Sequence, residues 1–327
     1  MTLRLFDCSF FGSALPEPFI KYEVEGVLNK LSLLPKITGE EGNHLQNRWE
    51  VIRRKLRGLG GSGGSIRVAN HIFEPLCTLL EYDSMAQEEK VQTREGEEEG
   101  GWLMKTADES KKLRCWAVEA GTDLDAPNRR GRAFRFSPTQ VVWRVLQAKG
   151  ERIGLLTDGE ELRILIAEAS RAESFILIRL NQSGGWRSFR DVPDSLRLLI
   201  GLASSKALPH ISDTLEKARL SQTRVTKELR NQAKLAVARF VQELLSHPEN
   251  REKVSGSGWE VPSGDSQDKN KLAKNLWREG LILVYRLLFI FTLESSHDPA
   301  RRFSFASSSL WRNTYSPNIA LGLMFER

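Results

Sequence analysis

Arg152-Ile153-Gly154-Leu155-Leu156-Thr157-Asp158-Gly159-Glu160-Glu161-Leu162-Arg163-Ile164-Leu165-Ile166 is the stretch that decides the fold. Two short apolar runs flank Asp158-Gly159, a pair suited to the positive backbone angles of a tight turn, so the stretch reads as a β-hairpin. Further runs at Trp102-Leu103-Met104, at Leu113 to Val118 and at Ser174 to Ile178 predict more strands. Ser137-Pro138-Thr139-Gln140 opens a helix between them. The serine caps, the proline takes the first turn and the glutamine reaches back to the cap, ahead of an apolar face of Val141, Val142, Val145 and Leu146.

Upstream, residues 16 to 60 carry apolar positions at helical spacing (Val24, Val27, Leu28, Leu31, then Trp49, Ile52 and Leu56) and run into a glycine-rich stretch, Gly58 to Gly64, read as a hinge or helix stop. No Gly-Lys-Ser/Thr follows and no apolar strand precedes, so a phosphate-cradling loop is not expected there. A helix is predicted over Ile66 to Leu80, and the acidic segment Glu88 to Glu99 reads as a solvated loop. Downstream the chain turns helical: Leu196 to Ser204, a long helix over Ile211 to Leu245, a linker over residues 246 to 269 rich in Pro, Gly, Ser and charge, and a last helix from Lys271 to Ser295. No repeat of fixed period is present.

The 327 residues suffice for two ordinary domains, with 40% hydrophobic residues to fill a core. Cys8, Cys77 and Cys115 are odd in number and far apart, which fits neither a disulfide framework nor a Cys-x-x-Cys metal site, and points to a reducing cytoplasm. Asp7, Pro16 and Glu17 break up any signal-peptide plan. Leu281 to Leu293 is strongly apolar, yet Arg286 interrupts it and it is too short to span a bilayer, so it reads as a buried helix. A net charge of +6 permits contact with a polyanion without requiring it.

Three stretches in order carry a resemblance. Gly154 to Leu165 is similar to the hairpin preceding the methylase in type IIG restriction-modification proteins and their BREX and DISARM phage-defence relatives. Tyr285-Arg286-Leu287-Leu288-Phe289-Ile290-Phe291-Thr292-Leu293-Glu294 resembles a helix of those proteins, and the segment from Phe305-Ala306 through Leu310-Trp311-Arg312-Asn313-Thr314-Tyr315-Ser316-Pro317 resembles the stretch before their catalytic domain. The resemblance covers about residues 45 to 327. It implies a nuclease-like region, a helical connector, an adenine-N6 methyltransferase using S-adenosylmethionine, and a target-recognition region, with this chain expected to stop before the third. A methyltransferase of that class needs a glycine-rich turn after a strand and an Asn-Pro-Pro-Tyr-like loop around the flipped base. Ser255-Gly256-Ser257-Gly258 follows charged loop residues instead of a strand, and the sequence contains no Pro-Pro.

Nucleases of the Asp…Glu-x-Lys type hold Mg2+ between two carboxylates while the lysine polarises water. Cys115 to Gly121 supplies Glu119, but Gly121 stands where the lysine belongs, and the partner acid is open between Asp83 and Glu74. Glu119 is therefore expected to be the strand-end acid of a degenerate site. Glu109-Ser110-Lys111 and Glu88-Glu89-Lys90 match by letters in polar segments. His44, His71, His210, His247 and His297 are scattered, and no Gly-x-Ser-x-Gly elbow occurs. Arg129, Arg130, Arg132 and Arg135 form a basic run ahead of the capped helix, suited to phosphates without sequence preference; Lys227, Arg230, Lys234 and Arg239 on the long helix are candidates to extend it.

The expectation is an α+β chain. Residues 1–65 form a helical segment, 66–195 a small mixed-sheet, nuclease-like domain, and 196–327 a long-helix connector. The chain would engage double-stranded DNA beside a methyltransferase domain or subunit, with no cofactor of its own and no membrane contact. The alternatives are a Mg2+-dependent endonuclease and a non-catalytic interaction scaffold.

Overall fold

The computed structural model describes residues 3–59, 63–127, 136–168, 171–181, 183–250, 266–295 and 308–319. In chain order, β1 (Cys8–Phe11) precedes four helices: α1 (Glu17–Tyr22), α2 (Val24–Lys30), α3 (Gly39–Leu59) and α4 (Ser65–Leu79). Then come β2 (Ser84–Gln87), β3 (Val91–Thr93), β4 (Gly96–Glu98), β5 (Trp102–Lys105), β6 (Lys112–Ala117), α5 (Pro138–Lys149), β7 (Ile153–Thr157), β8 (Glu161–Ile166) and β9 (Ser174–Arg179). Helices α6 (Asp194–Ala203), α7 (Ile211–Ser246) and α8 (Ser266–Ser295) follow.

Seven strands form one mixed sheet in the order β1-β9-β8-β7-β6-β5-β2. Only β6 and β7 run parallel, joined through α5, as a parallel pair requires a crossover. The Ser137 cap is a full capping box with Gln140, as its sequence predicts, and Gly150 ends the helix in the left-handed conformation. Between β7 and β8 the hairpin forms in a wider version: Gly159 alone takes a positive φ, and Asp158 Oδ1 accepts from the N–H groups of Glu160 and Glu161, both at 2.9 Å. The acidic segment is not the expected solvated loop. It folds into the β3–β4 hairpin because Val91 and Thr93 alternate onto a buried face.

Both faces of the sheet are covered, which is why β7 is buried along its whole length. Leu113, Cys115, Leu155, Ile164 and Ile178 face a large core shared with α1 to α4 and α6, where Trp49 and Trp186 meet edge to face at 5.5 Å. Trp116, Leu156, Leu165 and Phe175 face a smaller core under α5. The N-terminal strand is locked by a buried cluster. Asp7 Oδ2 accepts from Trp186 Nε1 at 3.1 Å and from the Ser195 hydroxyl, and burial holds its carboxyl above the ordinary range.

The chain divides into two compact units, residues 1–223 and 224–327, with α7 spanning the division. Helices α1 to α3 and α6 share the core of the sheet. In the second unit α7 meets α8 where Gly280 lies against Val237. Helix α8 is not the buried helix its composition predicts: Leu283, Tyr285, Leu287 and Phe289 are exposed. Among the described residues no helix is long and apolar enough to cross a membrane.

Candidate functional site

Past Ala117 the chain leaves β6 but keeps its path for one more residue, with Val118 N–H donating to Thr157 O at 2.9 Å. Glu119 is exposed at that end, and Ala120 N–H donates to Gly63 O at 2.9 Å, bringing the strand end beside the start of α4. The chain then turns: Thr122 donates to Glu119 O from its N–H (3.1 Å) and from its hydroxyl (2.6 Å), and Gly121 has φ +78°. Gly121 is thus a turn residue, so the Glu-x-Lys position is not on a strand.

The other acids lie elsewhere. Asp83 accepts from Ala107 N–H at 2.7 Å, at the β5–β6 turn. That turn is at the opposite end of β6 from Glu119, and six residues of strand separate the ends by roughly 20 Å. Glu74 is on the exposed face of α4, paired with Lys55. Glu109 sits in the β5–β6 turn with φ +54° and pairs with Lys105 at 3.4 Å, while Glu88 pairs with Arg114. Among the described residues no three His, Cys, Asp or Glu side chains come together to hold a metal ion. Asp83 and Glu119 are thus too far apart to hold one ion between them.

What the fold does assemble is a pair of buried arginines on the face under α5. Arg114, on β6, donates to Glu151 from Nε (2.8 Å) and Nη2 (2.9 Å) and to Gly100 O at 2.9 Å. Arg163, on β8, donates to Asp125 through both Nη atoms, to Thr139 Oγ1 at 2.7 Å and to Glu161 at 2.6 Å, and lies 4.5 Å from the Phe175 ring centroid. Burial opposes the Arg163 charge, but the hydrogen bonds of Asp125 and the charge of Glu161 outweigh it and keep its pKa above the ordinary arginine value. For Glu161 burial wins instead, and its carboxyl is raised. An arginine inside an apolar strand signals such pairing, since an unpaired buried guanidinium is prohibitive. The Leu162-Arg163 pair of the first resemblance motif thus anchors Asp125, in the loop between β6 and α5.

Arg129, Arg130, Arg132 and Arg135 lie outside the described residues. The flanks of their segment are defined: Asp125 is held by Arg163, and Ser137 caps α5. Lys227, Arg230, Lys234 and Arg239 are all exposed on α7, in the second unit, and the first three share a face at three- and four-residue spacing. His44 and His247 are exposed, and His71 and His210 half-buried; His297 lies outside the described residues. Ser255 to Gly258 also lie outside them.

The second and third resemblance motifs do meet. Glu294, closing the first of them, accepts from Trp311 Nε1, from Ser316 Oγ at 3.0 Å and from Asn318 Nδ2 at 2.5 Å. Comparison of the chain with family models, with curated proteins and with solved structures finds no match.

Proposed function

We propose that the chain is the DNA-engaging and scaffolding part of a restriction-modification or phage-defence adenine-N6 DNA methyltransferase, with S-adenosylmethionine chemistry carried by another domain or subunit. The observation that carries the reading is the Arg163–Asp125 pair, which braces the entry to the basic run while a capped helix braces its exit. Four arginines within seven residues suit the phosphates of double-stranded DNA, whose counterions are released on contact. The ordered resemblance of three motifs supports the same reading. A nuclease role has no such support, because Asp83 and Glu119 stand at opposite ends of β6.

Fluorescence anisotropy of a labelled duplex tests the proposal. The chain is expected to bind with log affinity falling linearly in log salt. Replacing Arg129, Arg130 and Arg132 by Ala is expected to flatten that slope by about 0.9 for each phosphate that is no longer neutralised. Duplex binding indifferent to the three substitutions defeats the reading. Calorimetry with S-adenosylmethionine is expected to show no binding, and a clear isotherm would overturn the domain assignment.

A second reading, a scaffold that never meets DNA, is favoured by the exposed apolar side chains of α8. Absence of any duplex binding would select it.

A further inference from the structure

Gln140, Trp143 and Gln147 are three and four residues apart and share one stripe of α5, and Phe136 lies just before the Ser137 cap. Across from that stripe stands the β3–β4 hairpin with Thr93, Arg94 and Glu95. Between them lies a groove of about 920 Å3, bordered also by Arg144, Glu151, Arg152 and Glu173. This is the size of a ligand site.

The groove's chemistry is uneven in an informative way. Each of two carboxylates is already engaged by a guanidinium: Glu95 by Arg144, which also lies 3.8 Å from the Phe136 ring centroid, and Glu151 by Arg114. Burial raises the carboxyl of Glu173, and Gln140 hydrogen-bonds to it. Arg94 and Arg152 are exposed on the two sides. The indole N–H of Trp143 is enclosed and meets no acceptor among the described residues, an arrangement that a donor tolerates only at a cost. The groove therefore offers the ring of Trp143 from α5 and that of Phe136 from just before the helix cap. The Gln147 amide follows, and cations flank the groove.

We propose that this groove binds a short run of unpaired nucleotides, with a base stacked on Trp143, a base edge met by Gln147, and phosphates met by Arg94 and Arg152. Stacking platforms beside cations are how proteins hold single strands, and the π-face of any base satisfies them. The inference goes beyond duplex engagement by the basic run and uses different residues.

The experiment measures anisotropy of labelled oligothymidylate, of oligouridylate and of the thymidylate strand annealed to its complement, on the full chain. Both single strands are expected to bind. Trp143→Ala is expected to weaken them by roughly five- to 150-fold, the loss of one stacked base. Arg152→Gln, at an exposed position, is expected to weaken them and flatten the salt dependence by about 0.7. Trp143 packs partly against the core under α5, so circular dichroism checks the fold of that variant. If it does not fold, Arg152→Gln and Arg94→Gln decide alone. Single-strand binding indifferent to the groove substitutions overturns the proposal. Duplex binding that depends on the basic run but not on the groove, with no single-strand binding, overturns the groove and leaves the function reading standing. Single-strand binding without duplex binding does the reverse, and binding of neither defeats both.

Discussion

The guanidinium of Arg163 grips the carboxylate of Asp125 with two parallel hydrogen bonds, Nη1 to Oδ1 at 2.6 Å and Nη2 to Oδ2 at 2.8 Å. Asp125 is itself 64% exposed, while Arg163 is 4% exposed, so the pair draws a surface carboxylate onto a buried cation. Asp125→Ala leaves that cation with Glu161 as its remaining anionic partner. The substitution is expected to lower stability by about 1 to 2 kcal/mol, the range of a charged hydrogen bond trimmed by solvent screening. It should also weaken duplex binding, because the entry to the basic run loses its brace. Urea unfolding reads the first effect. An unchanged midpoint would show that the pair is an ordinary surface contact.

A pH effect follows from the buried thiols. Burial, aided by the charge of Asp83, pushes the Cys77 thiol up to about 11, and burial raises Cys115 and Tyr82 as well. These groups stay neutral in the folded chain while the unfolded chain ionises from about pH 9. The contribution of these groups to stability is therefore full below about pH 9 and declines as pH rises towards 11. Thermal melts across that window check the decline, and Cys77→Ala should reduce its steepness. A flat profile would contradict the burial of these side chains. Native Cys77 and Cys115 should also resist a thiol reagent that labels them in urea.

Gly154 lets α5 settle on the sheet. A Cβ there would stand 2.9 Å from a methyl carbon of Leu146 and 3.2 Å from Arg114 O. Gly154→Val suits a strand by propensity, yet it should destabilise by about 1 to 3 kcal/mol through overpacking. A gain in melting temperature would mean that α5 has room to shift.

Helix α8 predicts association. Tyr285 and Phe289 are 58% and 62% exposed, alongside Leu283 and Leu287. Patches of that kind mark contact surfaces. Light scattering over a concentration series should find the chain above its monomer mass, and Leu283→Glu with Phe289→Glu should return it to monomer. A wild-type chain that stays monomeric at every concentration would count against this.

Much of the fold was legible in the sequence because strands buried on both faces announce themselves as apolar runs, and because Ser137 and Gln140 are a chemical signature for a helix start. Strands β1 and β2 were not. Ser84-Met85-Ala86-Gln87 contains no β-branched or aromatic residue, and it is a strand only because β5 pairs with it. The β3–β4 hairpin hid among glutamates, with Val91, Thr93 and Gly96 as its faint signal. Helix α8 misled for a physical reason: an apolar run such as Leu281 to Leu293 normally lies in a core, and here Leu283, Tyr285, Leu287 and Phe289 are exposed. At the candidate site, Arg114 and Arg163 could be read as arginines in need of anions. Which anions they find depends on the sheet order, which no local pattern carries. For Asp83 and Glu119 the same sheet order decides against a shared metal.

The cluster that locks β1 also sets a timetable for the chain's synthesis. Asp7 leaves the ribosome early, but Trp186 follows it by 179 residues and Ser195 by 188. At ordinary rates of translation the wait is roughly 10 to 40 s. Throughout that interval the Cys8–Phe11 segment has no β9 to pair with, and the large core lacks one wall. The nascent chain must therefore carry an open sheet edge and unfinished apolar surface for longer than most small domains take to fold. That window is when a chaperone would matter most, and a ribosome stalled before Ser195 would leave a product unable to close.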